Sequence, residues 1–425
     1  MTDAVKPDKP PSLIANFRVL TPVAQVLVLN QFFVIAAFTM VVPFLAIYLS
    51  KDLGLAPALV GLIIGLRTLT SQGMFLVGGS LADRMGARPT IIIGCCLRVL
   101  GFGLFAISTA TPAIIIATLL TGFSAALFQP ACRSYLAAET PGRRAEAFGL
   151  FSVAANTGTL IGPVIGGLLL AVDFRVVAGV ACGAFALLAI YQTVMLPKRA
   201  FEKPGSTLIQ DLTEVVRNRR FFVFAIAGAL YMISAMQLMF AMVLEANRVT
   251  GRDDSVTLLF LASAICGMAV QSRISHWCRQ RLNSGQAMAL GVTLAGLCWV
   301  PIMVTSPFLA THHTPLPLAQ ALLWMSPVML GAMILSAGNA MGQPYTMELM
   351  PAVGSEHRIG TYFGYYSLIA GFASAGGSAL VGALMRPEVP ALRWAPFAAL
   401  MAVALTGAVI ILVMQKRGLL EPRDD

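Results

Sequence analysis

The sequence predicts an all-α protein that crosses a membrane many times. Of its 425 residues, 57% are hydrophobic and only 11% are charged, and the mean hydropathy is +0.80. Soluble domains carry roughly 25% charged residues. Apolar stretches of the roughly 20 residues that a bilayer requires recur from one end of the chain to the other. Charged and Pro/Gly-rich joints separate these stretches, as expected for a polytopic membrane protein.

Dividing the chain at these joints predicts twelve spans. They are 22–49, 57–80, 89–109, 112–136, 146–171, 176–196, 221–246, 256–275, 286–306, 320–349, 359–385 and 395–415. The polar segment 196–220 follows the sixth span and contains Leu208, Leu212 and Val215 at helical spacing. We therefore expect an N-terminal six-helix bundle (1–195), a linker (196–220) and a C-terminal six-helix bundle (221–425).

Lysine and arginine residues predict the orientation of the spans. With the N-terminus in the cytoplasm, 20 of the 29 Lys and Arg residues fall on the cytoplasmic side, 6 on the opposite side and 3 within spans. Because cytoplasmic loops are enriched in Lys and Arg, both termini are expected in the cytoplasm. We call the two ends of the bundle the predicted inner end and the predicted outer end.

Composition also excludes several classes of protein. The net charge of +10 comes from basic residues that punctuate the spans, which argues against a nucleic-acid surface. The seven cysteines lie mostly within apolar segments and lack metal-ligand spacing, so neither disulfides nor a metal site is expected. The polar N-terminus does not resemble a cleaved signal peptide. We expect no cofactor and no enzymatic activity.

A weak internal repeat relates the two predicted bundles. Gln129-Pro130 in span four matches Gln343-Pro344 in span ten, and the segment around Gly149 resembles that around Gly364 at nearly the same offset. Transporters with duplicated halves bind substrate between the halves, near the membrane midplane.

Polar residues within spans are candidate substrate contacts, because polar and ionisable groups are costly in the membrane. Arg67 lies about 12 Å inside span two; it either contacts substrate or pairs with helix-end carbonyls or amides such as Asn30. For Arg98 a structural role is favoured. The full set of candidates is Asn30, Arg67, Gln129, Arg133, Asn156, Tyr231, Gln237, Asn339, Gln343 and Tyr366. Each neutral residue could equally form a helix–helix hydrogen bond.

The segment GGSLADRMGARPT (78–90) concentrates charge between spans two and three. Gly79 is expected to permit close helix approach, Gly86 a turn, and Asp83 pairing with a basic group or a helix N-terminus. A positive-inside loop with a turn would account for this composition. The spacing Gly79-x-x-x-Asp83-Arg84-x-Gly86-x-Arg88 also resembles the loop signature of the major facilitator superfamily. That resemblance implies a cytoplasmic latch, with a degenerate second copy at 272–285.

Span five contains GTLIGPVIGG (158–167). Gly158, Gly162 and Gly166 form one smooth stripe on which another helix can pack, and Pro163 adds a kink. With Gly167, this pattern resembles the antiporter motif of drug:proton exporters within the superfamily. The segment 61–89 is similar to MdtH-type multidrug exporters.

These resemblances imply a secondary exporter in a bacterial inner membrane that functions as a monomer and exchanges protons for small amphipathic compounds. A dedicated exporter of an anionic metabolite such as a siderophore is the alternative; a lipid flippase and an importer are less favoured. No carboxylate lies in the middle of a predicted span. The candidates for proton coupling are therefore Asp83, Glu245 and Glu348, all nearer to span ends.

Overall fold

The computed structural model describes residues 17–140, 143–197, 216–354, 359–385 and 388–420. Each predicted span coincides with a helical segment, and we number these α1–α12. The first six are α1 (Pro22–Ile47), α2 (Pro57–Thr68 and Phe75–Met85), α3 (Ala87–Ile107), α4 (Thr111–Glu139), α5 (Arg144–Leu170) and α6 (Phe174–Met195). The other six are α7 (Arg219–Met236 and Ala241–Thr250), α8 (Ser255–Arg281), α9 (Ser284–Leu297 and Val300–Thr305), α10 (Leu318–Val353), α11 (Ile359–Leu384) and α12 (Ala395–Lys416).

Ten helices in the described part of the chain are long and apolar enough to cross a membrane. The two predicted spans outside this set are the second and the eighth. In α2, a π-helical turn over Leu69–Gly73 lies between two shorter helices, and α8 begins with the apolar segment Ser255–Gly267. The protein is therefore an all-α, multi-pass membrane protein, as the sequence predicts.

Side chains at the helix ends explain several boundaries. The Thr21 hydroxyl accepts a hydrogen bond from the Ala24 N–H at 3.2 Å, and Pro22 occupies the first turn of α1, where its missing N–H costs nothing. Asn218 caps α7 by accepting from the Phe221 N–H at 3.0 Å. Such caps satisfy backbone donors that the helix leaves free.

Helices of each predicted bundle pack mostly on one another. In the first bundle α5 lies against α1, and α3 lies between α4 and α6. In the second bundle α10 lies against α8 and α9, and α7 against α11 and α12. Three pairs connect the bundles: α2 with α11, α5 with α8 and, less extensively, α1 with the second segment of α7.

Glycines bring α2 and α11 into backbone contact. A methyl group on Gly65 would lie 2.7 Å from the Ala375 carbonyl oxygen, and one on Gly371 would lie 2.8 Å from the Gly73 nitrogen. Further along this pair, the Phe75 and Phe363 rings meet edge to face, 5.4 Å apart. Small residues allow membrane helices to approach this closely.

Candidate functional site

Two buried arginines share one aromatic ring in the first bundle. The guanidinium carbon of Arg67 lies 5.2 Å from the centroid of the Phe38 ring of α1, and that of Arg98 lies 5.9 Å from the same centroid. Arg67 is 6% exposed and Arg98 is 2% exposed. Arg98 also donates from Nε to the Ser124 hydroxyl at 2.8 Å. Cation–π contact with a desolvated guanidinium contributes about 2 kcal/mol.

These contacts leave part of each guanidinium without a partner. Among the described residues, no carboxylate forms an ion pair with Arg67 or Arg98. Neither Arg67 Nε nor Arg98 Nη1 has a hydrogen-bond partner there. A buried cation is costly unless it is paired, so this pair of arginines provides an electropositive centre within α1–α4.

The π-helical turn begins two residues after Arg67. Thr70 within this turn donates its hydroxyl to the Arg67 carbonyl at 3.0 Å. Gly122 of α4 packs against this turn, and a methyl group on Gly122 would lie 2.7 Å from the Arg67 carbonyl oxygen. π turns occur frequently at functional sites, and this one fixes the backbone around Arg67.

A second polar cluster lies in the second bundle. The Tyr231 hydroxyl of α7 donates to Asn339 Oδ1 of α10 at 2.6 Å. Tyr366 of α11 packs on Gly228, one turn before Tyr231. Near the break in α7, Gln237 Nε2 donates to the Ser378 hydroxyl at 3.1 Å. The structure thus brings four of the predicted candidates, Tyr231, Gln237, Asn339 and Tyr366, onto α7 and its neighbours.

Asn30 lies on a different face from the one that a site between the bundles requires. Its Oδ1 accepts from Gln192 Nε2 of α6 at 2.7 Å, and the side chain is 1% exposed. Gln192 in turn accepts from the Cys95 thiol at 3.6 Å. Asn30 therefore joins α1 to α6 within the first bundle, and it does not pair with Arg67 as one interpretation of the sequence had proposed.

Four further candidates lie on α4, α5 and α10. Arg133, Asn156 and Gln343 are exposed, and Gln129 is half-buried with its Oε1 unpartnered among the described residues. Asn156 is 12 residues from the first residue of α5, which is about 18 Å along the helix. Gln343 is ten residues before the end of α10, about 15 Å along it.

The negative charge of Glu245 is balanced by Arg248 of the same helix segment. The Arg248 guanidinium donates from Nε and Nη2 to both carboxylate oxygens, at 2.8 and 2.7 Å. Its Nη1 donates to the Leu309 carbonyl at 3.0 Å. Of the other candidates for proton coupling, Glu348 is exposed and accepts from the Ser284 hydroxyl at 2.7 Å, and the side chain of Asp83 lies outside the described residues.

The loop between α2 and α3 supports one predicted glycine role and corrects another. Gly86 has φ +91°, a conformation that favours glycine, at the end of α2. The close approach is made by Gly78, which meets the Ala126 carbonyl of α4, whereas a methyl group on Gly79 would contact nothing within 4 Å. The prediction for Gly79 was therefore wrong by one position, because adjacent residues of a helix face different neighbours.

Arg84 at the end of α2 and Arg88 at the start of α3 flank the turn at Gly86 and differ in their surroundings. Arg84 is exposed. Arg88 donates from Nη2 to the Thr193 carbonyl near the end of α6, at 2.6 Å. In this conformation Arg88 therefore connects two helices of the same bundle.

The glycine stripe of α5 packs on α1. A methyl group on Gly158 would lie 2.7 Å from the Phe32 carbonyl oxygen, and one on Gly162 would lie 2.6 Å from that of Ala36. Gly166 meets Met40. The predicted close packing of another helix on this stripe is present, and α1 is that helix.

The remaining residues of this motif face the second bundle. The Thr257 hydroxyl of α8 donates to the Pro163 carbonyl at 3.0 Å, and Gly167 lies against the same hydroxyl. Lys51, just after α1, forms an ion pair with Asp253, just before α8, at 2.9 Å. These contacts join the bundles near the predicted outer end.

Sequence patterns do not indicate several features of the site. Phe38 carries no pattern that distinguishes it from other apolar residues of span one, and the π turn follows an ordinary helical sequence. The pairing of Glu245 with Arg248 was detectable, because residues three apart on a helix are neighbours.

The geometry defines a class of protein, an α-helical multi-pass membrane protein with buried polar centres in both predicted bundles. The sequence profile of the Major Facilitator Superfamily matches residues 27–378. The chain belongs to that superfamily.

Two kinds of relatives match most of the chain. An MFS-type transporter of Mycobacterium tuberculosis H37Rv is 36% identical over 375 residues, covering 87% of this chain and 88% of the relative. The multidrug resistance protein MdtH of Cronobacter sakazakii is 28% identical over 375 residues, covering 87% of this chain and 89% of that protein. MdtH of Proteus mirabilis is 26% identical over 373 residues, with 87% and 89% covered.

Solved structures share the fold at low identity. A peptide transporter POT in complex with sulfate superposes with a TM-score of 0.78 at 15% identity, covering 97% of this chain and all of that one. A POT family transporter in complex with 5-aminolevulinic acid gives a TM-score of 0.75 at 16% identity, with 93% and 96% covered. These structures show the fold, and the family match shows that the protein is a transporter and not an enzyme.

Proposed function

We propose that this protein is a secondary exporter that moves small amphipathic compounds out of the cytoplasm by alternating access. The moving parts are the bundles 1–195 and 221–425, connected by the linker 196–220. The transporter works as a monomer in a bacterial inner membrane, with both termini in the cytoplasm. The likeness to proteins named multidrug resistance protein MdtH supports the direction of transport.

The observation that carries this proposal is the difference between the two ends of the bundles. At the predicted outer end, Lys51 contacts Asp253 and Thr257 contacts Pro163. At the predicted inner end, Asn156 and Gln343 are exposed about 15–18 Å along their helices. Exposed amides at this depth are expected to line a water-filled space rather than face lipid. Phe75 of α2 and Phe363 of α11 still meet toward the predicted inner end, so we interpret the structure as a conformation whose opening to the cytoplasm lies beside α5 and α10.

Charge in the first bundle indicates the class of cargo. Arg67 and Arg98 are buried without a described carboxylate partner, so a neutral, zwitterionic or anionic compound fits this centre better than a cation. Arg133, exposed on α4, adds positive charge. Export of an anionic metabolite such as a siderophore is the second candidate function, and the same two buried arginines favour it.

Proton antiport is the proposed source of energy. Glu245, Glu348 and Asp83 are the candidate proton carriers, and the resemblance of 158–167 to the antiporter motif supports exchange over import. In the gating proposal, Asp83, Arg84 and Arg88 form the inner latch. The glycine motif of α5 packs on α1 and contacts Thr257 of α8, so a movement of α1 is transmitted to the second bundle. A flippase is less favoured, because it would require an apolar route between the bundles.

Transport into everted membrane vesicles tests this function. In energised vesicles, zwitterionic and anionic fluorescent compounds should accumulate more than cationic ones, and adding a transported compound should release protons from the lumen. Accumulation that a protonophore leaves unchanged would exclude antiport, and accumulation only in right-side-out vesicles would exclude export. Asp83→Asn should slow turnover more than it weakens binding; unchanged transport by this variant would exclude the latch.

A further inference from the structure

An apolar groove of about 680 Å³ lies between α1 and α6 on the lipid-facing side of the first bundle. Its rim consists of exposed side chains, among them Phe33 at 51%, Leu187 at 71% and Val194 at 73%. In a membrane such a surface faces hydrocarbon. The residues that line the groove belong to α1 and α6 of the first bundle, and the transport cycle proposed above does not account for it.

The floor of the groove carries an unsatisfied polar group. Asn30 lines the groove, and its Nδ2 has no hydrogen-bond partner among the described residues. Its only described bond is through Oδ1, which accepts from Gln192. An amide donor without a partner in hydrocarbon is costly, so the groove favours a ligand that has an apolar body and a hydrogen-bond acceptor.

Asn30 lies below the predicted inner ends of α1 and α6. It is eight residues, about 12 Å, after Pro22 at the start of α1, and its partner Gln192 is three residues, about 5 Å, before Met195 at the end of α6. A lipid ester group just beneath the headgroups is the polar group nearest to this depth. Tyr191, 40% exposed, lines the groove at the same level, and tyrosine is enriched where membrane meets water.

A cation lies just beyond the groove. Arg88 donates to the carbonyl of Thr193, the residue before the groove-lining Val194. The Nε of Arg88 is buried and has no described partner. Basic side chains at this level bind anionic lipid headgroups.

We propose that the α1/α6 groove is a binding site for one anionic glycerophospholipid of the leaflet at the predicted inner end. One of its two acyl chains lies in the groove, the ester carbonyl of that chain accepts from Asn30 Nδ2, and the phosphate contacts Arg88. Because Arg88 is the second residue of α3, the bound lipid would hold the start of that helix against α6. The site is independent of the cargo and of the direction of transport.

Native mass spectrometry of the full chain tests the site with phosphatidylglycerol and phosphatidylcholine as probes. Wild-type protein should retain one phosphatidylglycerol in preference to phosphatidylcholine. Leu187→Trp and Val194→Trp fill the groove and should lower retention by at least about tenfold. Leu323→Trp, on α10 at a position that is 72% exposed, is the matched control and should retain lipid like the wild type.

A separate variant tests recognition of the headgroup. Arg88→Gln should lower the preference for phosphatidylglycerol by about fivefold, the contribution of one basic side chain near an anionic surface. Retention of phosphatidylcholine should fall less, because its choline cation offsets the attraction between its phosphate and Arg88. Thermal melting of each purified variant identifies any that fails to fold, and a folded Arg88→Lys should keep the preference. Equal retention by the groove and control variants, or an undiminished preference in folded Arg88→Gln, would overturn the proposal.

Discussion

The two bundles differ in how they accommodate buried charge. In the first bundle, Arg67 and Arg98 are surrounded by aromatic rings and one hydroxyl, and part of each guanidinium is unpartnered among the described residues. In the second bundle, Arg248 forms a two-point ion pair with Glu245 and bonds to the Leu309 carbonyl. The second arrangement is electrically complete, whereas the first needs a negative charge from elsewhere.

This difference separates stability from recognition. A buried ion pair is destabilising to break, because removing one partner leaves the other charge buried. A buried cation that has no carboxylate partner in the protein lowers stability while its site holds no ligand. The same site binds an anion tightly, because folding has already removed water from the cation. We therefore expect removal of charge to affect folding in the second bundle and transport in the first.

The largest effect is expected for Glu245→Ala. The substitution leaves the 9%-exposed Arg248 side chain without its carboxylate, and it should lower the free energy of unfolding by about 3–5 kcal/mol. Thermal and denaturant unfolding of purified protein in detergent measures this change.

The control for Glu245→Ala is the double variant Glu245→Ala/Arg248→Ala, which should recover a large part of the lost stability because it leaves no unpaired charge. If the double variant is less stable than Glu245→Ala by the full effect of Arg248→Ala, the pair is not coupled, and the contrast between the bundles fails on this side.

Arg67→Met is expected to change stability little and transport strongly, the opposite of Glu245→Ala. Methionine retains the apolar stem on Phe38 and removes an unpaired charge, so the free energy of unfolding should fall by less than about 1 kcal/mol or rise. Transport of an anionic compound should fall by about 10- to 100-fold, corresponding to one charge-assisted hydrogen bond of about 1.5–3 kcal/mol. Uptake into everted vesicles, normalised to folded protein, measures the loss.

Arg67→Lys distinguishes charge from geometry, because lysine keeps the charge but lacks the planar guanidinium. Partial transport by the lysine variant supports an electrostatic role in binding. A large loss of stability in Arg67→Met with transport per folded molecule unchanged would assign Arg67 to structure alone.

The sequence predicted the helices and the backbone contacts better than the buried polar contacts. The stripe Gly158, Gly162 and Gly166 and the turn at Gly86 followed from spacing and from the freedom of glycine, which are local properties. Gly79 was predicted to make an approach that Gly78 makes instead, since a one-residue step rotates a helix by about 100°.

Contacts between distant helices could not be predicted. Asn30 was expected near Arg67 or the substrate, yet it bonds to Gln192 of α6, 162 residues away. Phe38 contacts both buried arginines, but its importance depends on how α1, α2 and α3 meet. Interruptions such as the π turn after Arg67 also depend on packing against α4 and α11, which no local pattern encodes.

The smallest effect is expected for the ion pair that joins the bundles. Lys51 and Asp253 have side chains 43% and 45% exposed, so Lys51→Ala should lower the free energy of unfolding by only about 0.2–1 kcal/mol.

The same energy acts on the balance between conformations if the contact breaks when the predicted outer end opens, and it would then shift that balance by up to about fivefold. Distance measurements between spin labels placed on Val172 and Phe308, which are exposed at the predicted outer ends of the two bundles, with and without high salt, test this. Lys51→Ala should lengthen the distance at low salt, and salt should have less effect on the variant than on the wild type. Identical distances under all conditions would show that the outer contact has no part in closing the transporter, leaving the glycine interfaces of α2 with α11 and of α5 with α8 as the contacts that hold the outer end closed.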